Sequence, residues 1–188
     1  DIGGESYADK SGESVSLSSD GTIVAISARF NDGTSGNLQD NRGHVRVYQY
    51  ANETWTQVGQ DIDGEAGDRS GHSVSLTSDG TIVAIGGIQS NWGNDLTVAG
   101  VVRVYQYAND TWTQLGNDID GEALGDNSGI SVTLSSDGTI LAIGANENDD
   151  NSNRSGHVRI FQWNGTTWTQ LGSDIAGEHV DDQSGMSV

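Results

Sequence analysis

Cysteine and proline are both absent from the 188 residues. Without cysteine there is no disulfide framework, and the redox compartment cannot be read from thiols. Basic residues are scarce: 8 against 27 acidic ones, a formal net charge of −19, with Lys10 the only lysine. Such a chain repels phosphate backbones and anionic membrane surfaces, which excludes nucleic acid and polybasic membrane attachment as partners. No stretch approaches the roughly 20 consecutive apolar residues that span a bilayer, so membrane insertion is not expected. The sequence shows neither an initiator methionine nor a signal peptide, Met186 being the only methionine. It starts and stops inside a repeat and reads as a piece of a longer chain or assembly.

Hydrophobic residues make up only 33% of the chain, yet they gather in β-patterned runs, an order that a disordered acidic chain would not show. The 27 glycines stand at fixed points of a repeat, as turn residues do. The clearest copy runs from Ser70 to Gly86, with counterparts at Ser11–Ser27 and Ser128–Gly144 and a fresh start at Ser184. In each, two apolar runs meet at Ser-Asp-Gly-Thr, the strongest short-range hairpin signal. Counted from Trp55 to Trp112 and on to Trp168, the period is 57 and then 56 residues. That length indicates propellers or repeat arrays. The units are 1–60, 61–117, 118–173 and a partial 174–188, together one repeat array.

Four short strands are expected per unit. The first (Ser73–Leu76 in the second unit) alternates apolar with Ser or Thr and is half-buried. The second, Thr81–Ile85, is apolar at almost every position and needs cover on both faces. The third and fourth, Val101–Tyr107 and Thr111–Leu115, are rich in residues that suit a pleated surface. No segment has a convincing 3.6-residue period. The fold class is all-β: a β-propeller or propeller-like array of four-stranded antiparallel blades, about 57 residues per repeat.

Asp68-Arg69-Ser70-Gly71-His72-Ser73-Val74 through Ala84-Ile85-Gly86-Gly87, its third copy Asp126–Val132 through Ile143-Gly144-Ala145, and the downstream Gly156-His157-Val158-Arg159-Ile160-Phe161 resemble the FG-GAP repeat. That repeat is the blade of integrin-α-like propellers, and the resemblance covers the whole chain. It implies a propeller fold. The chain departs from the family in carrying Ser11, Ser70, Ser128 and Ser184 where the family has Phe, and in having no proline. The family's calcium loop is reduced here to a bare turn at Asp20, Asp79 and Asp137. One carboxylate does not supply the six to eight oxygens calcium takes, so that site is not carried over.

The candidate metal ligands lie in the acidic connection between units: Asp61, Asp63, Glu65 and Asp68, repeated as Asp118, Asp120, Glu122 and Asp126. Asp-x-Asp-Gly at a turn can open a calcium loop, since alternate carboxylates converge on a hard cation. The competing reading is that Asp61 and Asp68 cap turns through hydrogen bonds to backbone, because the second Asp becomes Gly3 and Ala176 in the outer copies. Sequons at Asn52, Asn109 and Asn164 fall in register on one hairpin turn, with a fourth at Asn153, and are candidate N-glycosylation sites. Trp55, Trp112 and Trp168 are expected to pack rather than to bind sugar, whereas Trp92, in a variable loop, is a candidate ligand contact. Arg46, Arg103 and Arg159 are expected to pair with acidic groups of a neighbouring strand or blade. His44, His72, His157 and His179 show no metal-ligand spacing, and no nucleophile accompanies them.

On these grounds the sequence reads as a non-catalytic, extracellular or cell-surface structural or adhesion protein. It would present an acidic rim to calcium, glycans or extracellular proteins and associate with copies of itself or further repeats, in filaments or matrix. The alternatives are the ligand-binding propeller domain of a larger receptor and, further off, a glycan-active enzyme.

Overall fold

The computed structural model describes residues 1–33, 40–88 and 99–188; the candidate ligand contact Trp92 lies outside them. Within these residues the chain forms three antiparallel sheets in sequence order, one per repeat, and no helix. The first sheet holds β1 (Val15–Leu17), β2 (Ile23–Ala28), β3 (His44–Ala51), β4 (Thr54–Gln57) and β5 (Ile62–Asp63). The second holds β6 (Ser70–Leu76), β7 (Ile82–Gly87), β8 (Val101–Ala108), β9 (Thr111–Gln114) and β10 (Ile119–Asp120). The third holds β11 (Ser131–Leu134), β12 (Ile140–Ala145), β13 (His157–Trp163), β14 (Trp168–Gln170) and β15 (Ile175–Ala176).

Each blade starts with a hairpin whose turn is set by one aspartate. The Asp79 carboxylate accepts hydrogen bonds from the Thr81 amide (3.0 Å) and from the hydroxyls of Thr77 and Thr81, while Gly80 takes φ of +72°. Asp20 and Asp137 repeat these bonds. Their carboxylates are thus committed to their own turns. The tips between strands 3 and 4 are equally local: Asn52 and Glu53, like Asn109 and Asp110, all have positive φ, the geometry of a tight two-residue hairpin.

Four strands per blade were expected, and the structure adds a fifth. The acidic connection after each fourth strand carries on along the third strand, and two of its residues pair with that strand's start: His44 with Asp63 and Val45 with Ile62, then Val102 with Ile119, then Val158 with Ile175. The fourth and fifth strands therefore share one long strand end to end. A two-residue strand rich in aspartate carries no periodicity, so only the register exposes it.

Apolar packing lies between blades rather than within one. Val45 and Val47 of the first sheet close on Val74, Leu76 and Val83 of the second. Val102 and Val104 of the second close on Val132, Leu134 and Leu141 of the third. This double cover explains why β2, β7 and β12 read as continuous apolar runs. Ser16 Oγ accepts from the Leu76 amide (2.9 Å) and Ser75 Oγ from the Leu134 amide (3.0 Å), so the polar residues of the first strands join successive blades. Gly86 and Gly144 abut the backbone of Gly129 and Gly185 in the following repeat, closer than any Cβ would allow.

Candidate functional site

Two places on the blades gather chemistry, and both are built by the connections between repeats.

The first is a cavity of about 630 Å³ at the junction of the first and second repeats, lined by Asp9, Lys10, Phe30, Asn31, Asp32 and Arg69 among others. Its volume is within the range of small-molecule sites. Three cations crowd the Phe30 ring: Lys10 Nζ at 4.9 Å from the centroid, the Arg29 guanidinium at 4.6 Å and that of Arg69 at 5.1 Å. Arg29 is held by the Glu13 carboxylate through two contacts of 2.9 Å, and Lys10 approaches the same carboxylate at 3.9 Å. Arg69 is placed differently. It has positive φ (52°), its Nε is buried without a hydrogen-bond partner, and it makes no ion pair among the described residues. Burial and, secondarily, the Arg29 charge push its pKa below the ordinary arginine value. Asp9 is occupied by the Asn31 amide at 2.9 Å.

The second place is where each fifth strand meets the third. Nδ1 of His157 lies 3.8 Å from Asp174 Oδ2 and 4.0 Å from Glu122 Oε2. Asp150 joins them, and one ligand atom from each of the four lies within 4.8 Å of the others. His157 is 1% exposed, and neither ring nitrogen has a hydrogen-bond partner. In the first repeat Glu5, His44 and Asp61 form a three-membered counterpart, with Asp63 Oδ1 at 4.0 Å from His44 Nδ1. Desolvation raises the Asp63 pKa, partly offset by His44.

The second repeat breaks the pattern. Val101 stands where His44 and His157 stand, and Asp118 binds Arg103 at 2.8 Å. Arg103 also pairs with buried Asp68 and approaches Glu65 at 3.9 Å. Burial works against the Arg103 charge, but hydrogen bonds and charge from Asp118 and Asp68 outweigh it and raise its pKa. Arg46 pairs with Glu5 at 3.2 Å. Arg159 donates to the Asp120 carbonyl at 2.8 Å and to Ser128 Oγ at 3.2 Å, with Glu122 at 3.7 Å.

The acidic residues singled out in sequence are therefore distributed over different duties. Asp61 and Glu122 enter the histidine groups, and Asp63 borders one. Asp118, Asp68 and Glu65 surround Arg103. Asp68 and Asp126 also accept turn amides from Glu65 (2.7 Å) and Ala123 (3.1 Å). The Asp120 carboxylate is at an exposed position. No single connection folds into a loop of converging carboxylates; convergence occurs across connections. His44 and His157 were missed because ligand spacing was sought along the chain. The signal is their equivalent position two repeats apart, which Val101 occupies in the repeat between. Asn52, Asn109, Asn153 and Asn164 are all exposed, and the Tyr50–Trp55, Tyr107–Trp112 and Trp163–Trp168 ring pairs pack across adjacent strands.

No family model matches the chain, and no curated protein matches it. Solved structures do. A Bacteroides uniformis protein described as a candidate 6-phosphogluconolactonase aligns with a TM-score of 0.56 at 16% identity, covering 89% of this chain and 42% of its own. A Bacteroides fragilis protein described in the same way aligns with a TM-score of 0.57 at 16% identity, covering 87% of this chain and 38% of its own. The complex of KlAtg21 with the coiled-coil of AgAtg16 aligns with a TM-score of 0.50 at 12% identity, covering 87% of this chain and 57% of its own. The chain thus spans about two fifths of the length of the two Bacteroides proteins. At these identities the likeness defines the class: an all-β array of propeller-type blades.

The expectation of a non-catalytic adhesion or structural protein is corrected here. Blades like these occur in proteins described as lactonases, so repeats and a missing nucleophile do not mark the chain as a non-enzyme. Opening an activated ester needs only a positioned water and a carboxylate or imidazole base, groups that an acidic blade supplies without Ser or Cys.

Proposed function

We propose that the chain is part of a propeller-fold hydrolase that binds an anionic sugar acid and opens its lactone. The observation that carries this reading is Arg69, a cation without an ion pair among the described residues, set over Phe30 beside Lys10 in the 630 Å³ cavity. A guanidinium matches phosphate or carboxylate with two parallel donors. The aromatic face suits the apolar side of a sugar ring, and Asn31 and Asp32 supply partners for hydroxyls. In the reaction a water oxygen adds to the lactone carbonyl carbon and the ring C–O bond breaks. The water proton passes to Asp32 and then to the departing hydroxyl, leaving the open hydroxy acid.

The names of the two Bacteroides proteins support this substrate class. Within the propeller class, the Ser-Gly-x-Ser-Val and Ser-Asp-Gly pattern supports blades of the FG-GAP type. Further blades, from the same chain or a copy, would complete the ring. The exposed sequons fit N-glycosylation in a secreted or cell-surface protein. No helix among the described residues is long and apolar enough to cross a membrane.

The test is calorimetric binding of 6-phosphogluconate, together with proton release from its lactone measured against the uncatalysed rate. Binding that falls at least about tenfold in Arg69→Ala, the loss expected of a charge-assisted pair, supports the reading. An absence of binding, or binding indifferent to that substitution, overturns it.

A further inference from the structure

We propose that His157, Glu122, Asp150 and Asp174 form a binding site for a divalent transition-metal ion of the zinc type. This inference is independent of the sugar-acid reading.

The histidine is the first reason. A buried imidazole with two unpartnered nitrogens is costly, since desolvation is not repaid by a hydrogen bond. Its Nδ1 is directed at carboxylate oxygens of Asp174 and Glu122, at 3.8 and 4.0 Å, which are too long for hydrogen bonds. In a tetrahedral site with bonds of about 2.0–2.2 Å, neighbouring ligand atoms lie roughly 3.5 Å apart. His157 therefore needs to close on Asp174 and Glu122 by only about half an ångström, and the widest-set ligand atoms of the group, within 4.8 Å of one another, by up to about 1.3 Å.

The second reason is charge. Three carboxylates converge on one buried imidazole; Arg159 approaches one of them, Glu122, at 3.7 Å, but its hydrogen bonds go to the Asp120 carbonyl and Ser128 Oγ. The ligands are also held from outside. Gln170 Nε2 donates to Asp174 Oδ1 at 2.6 Å. The Asp150 amide donates to Asn148 Oδ1 at 3.0 Å, and Asn148 is itself anchored on Asp126 at 2.9 Å. Such outer contacts orient metal ligands.

The third reason comes from comparing the repeats. Where histidine is present, the aspartate after the fourth strand faces it, as Asp61 and Asp174 do. Where valine replaces histidine, Asp118 turns to Arg103, and no such group forms among the described residues. The histidine goes with an aspartate that faces it instead of an arginine. An imidazole among carboxylates selects zinc-like ions over calcium, which takes oxygen alone and more of it.

The experiment strips the chain with EDTA and titrates it with Zn²⁺ against a chromophoric chelator, then with Co²⁺ to record the visible bands of a low-coordinate N/O site. The variants are His157→Val, which copies the residue the second blade carries at that position, and Asp174→Asn. Circular dichroism checks folding. The expected result is one Zn²⁺ fewer per chain in His157→Val, affinity reduced tenfold or more in Asp174→Asn, and loss of the Co²⁺ bands in both. Unchanged Zn²⁺ stoichiometry in folded His157→Val or unchanged Zn²⁺ affinity in folded Asp174→Asn overturns the proposal, as does a wild-type chain that binds Ca²⁺ but not Zn²⁺. If His157→Val fails to fold, Asp174→Asn decides alone.

Discussion

Trp112 Nε1 donates to the Val58 carbonyl of the preceding blade at 2.8 Å, and Gln60 of that blade brackets the Trp112 backbone from both sides, accepting from its amide and donating to its carbonyl. Trp168 repeats the indole bond to the Leu115 carbonyl at 3.1 Å. The recurring tryptophan is therefore a staple between successive fourth strands, and the 56 residues from Trp112 to Trp168 separate two staples.

Trp112→Ala should cost about 3–5 kcal/mol, the range for truncating a buried aromatic. Trp112→Phe, which keeps the ring but loses the donor, should cost about 1–2 kcal/mol. Trp55 is only half-buried, so Trp55→Ala should cost clearly less. Urea unfolding of the three variants checks this order, and an equal loss at Trp55 and Trp112 would remove the staple interpretation.

Arg103 is bound on both sides by acids of two successive connections, Asp68 before the second blade and Asp118 after its fourth strand. The Asp68 side chain is only 2% exposed. Arg103→Met takes the cation from a buried carboxylate and should destabilise by about 3–5 kcal/mol. The partner of Arg46, Glu5, is 46% exposed. Arg46→Met should therefore cost no more than about 1 kcal/mol. Thermal melting at neutral pH distinguishes the two positions.

The hairpin aspartates give a pH signature. Hydrogen bonds from Ser135 and Thr139 pull the Asp137 pKa from 3.8 to about 2, and bonds led by the Thr22 and Thr81 amides lower Asp20 and Asp79. A folded-state pKa below the unfolded one contributes stability that is complete above the unfolded value and lost as pH falls through the folded value. Stability should decline between about pH 4 and pH 2. Asp137→Ser leaves an acceptor that does not titrate, so its urea midpoint should fall less steeply over that interval than the wild-type one.

What the sequence revealed and what it hid follow from locality. The Asp79-Gly80 turn, the apolar second strands and the Trp spacing are properties of residues close in sequence, and all were legible. So was the need of Arg103 for acidic partners. The pairing of His44 with Asp63, or of His157 with Glu122 and Asp174, depends on where a two-residue strand docks on another strand and on what the neighbouring repeat delivers there. Neither leaves a spacing along the chain. Arg69 was hidden for the same reason: Lys10, Phe30 and Arg69 belong to three separate segments, and only blade packing stacks them.

Leu17 and Leu76 occupy the same place in successive hairpins, yet Leu17 is 58% exposed and Leu76 is 8% exposed. The difference is the preceding blade: β6 packs on β1 and β2, and among the described residues no equivalent strand packs on the outer face of β1. Leu76→Ala should cost about 2–5 kcal/mol, because it opens a cavity between two sheets. Leu17→Ala should change stability by no more than about 0.5 kcal/mol, since it removes surface that water already reaches. Both are measured on the isolated chain at several concentrations. A large, concentration-dependent loss at Leu17 would mean that another blade covers this face in solution, whereas a small, concentration-independent one fixes Leu17 as solvent-exposed in the chain as it stands.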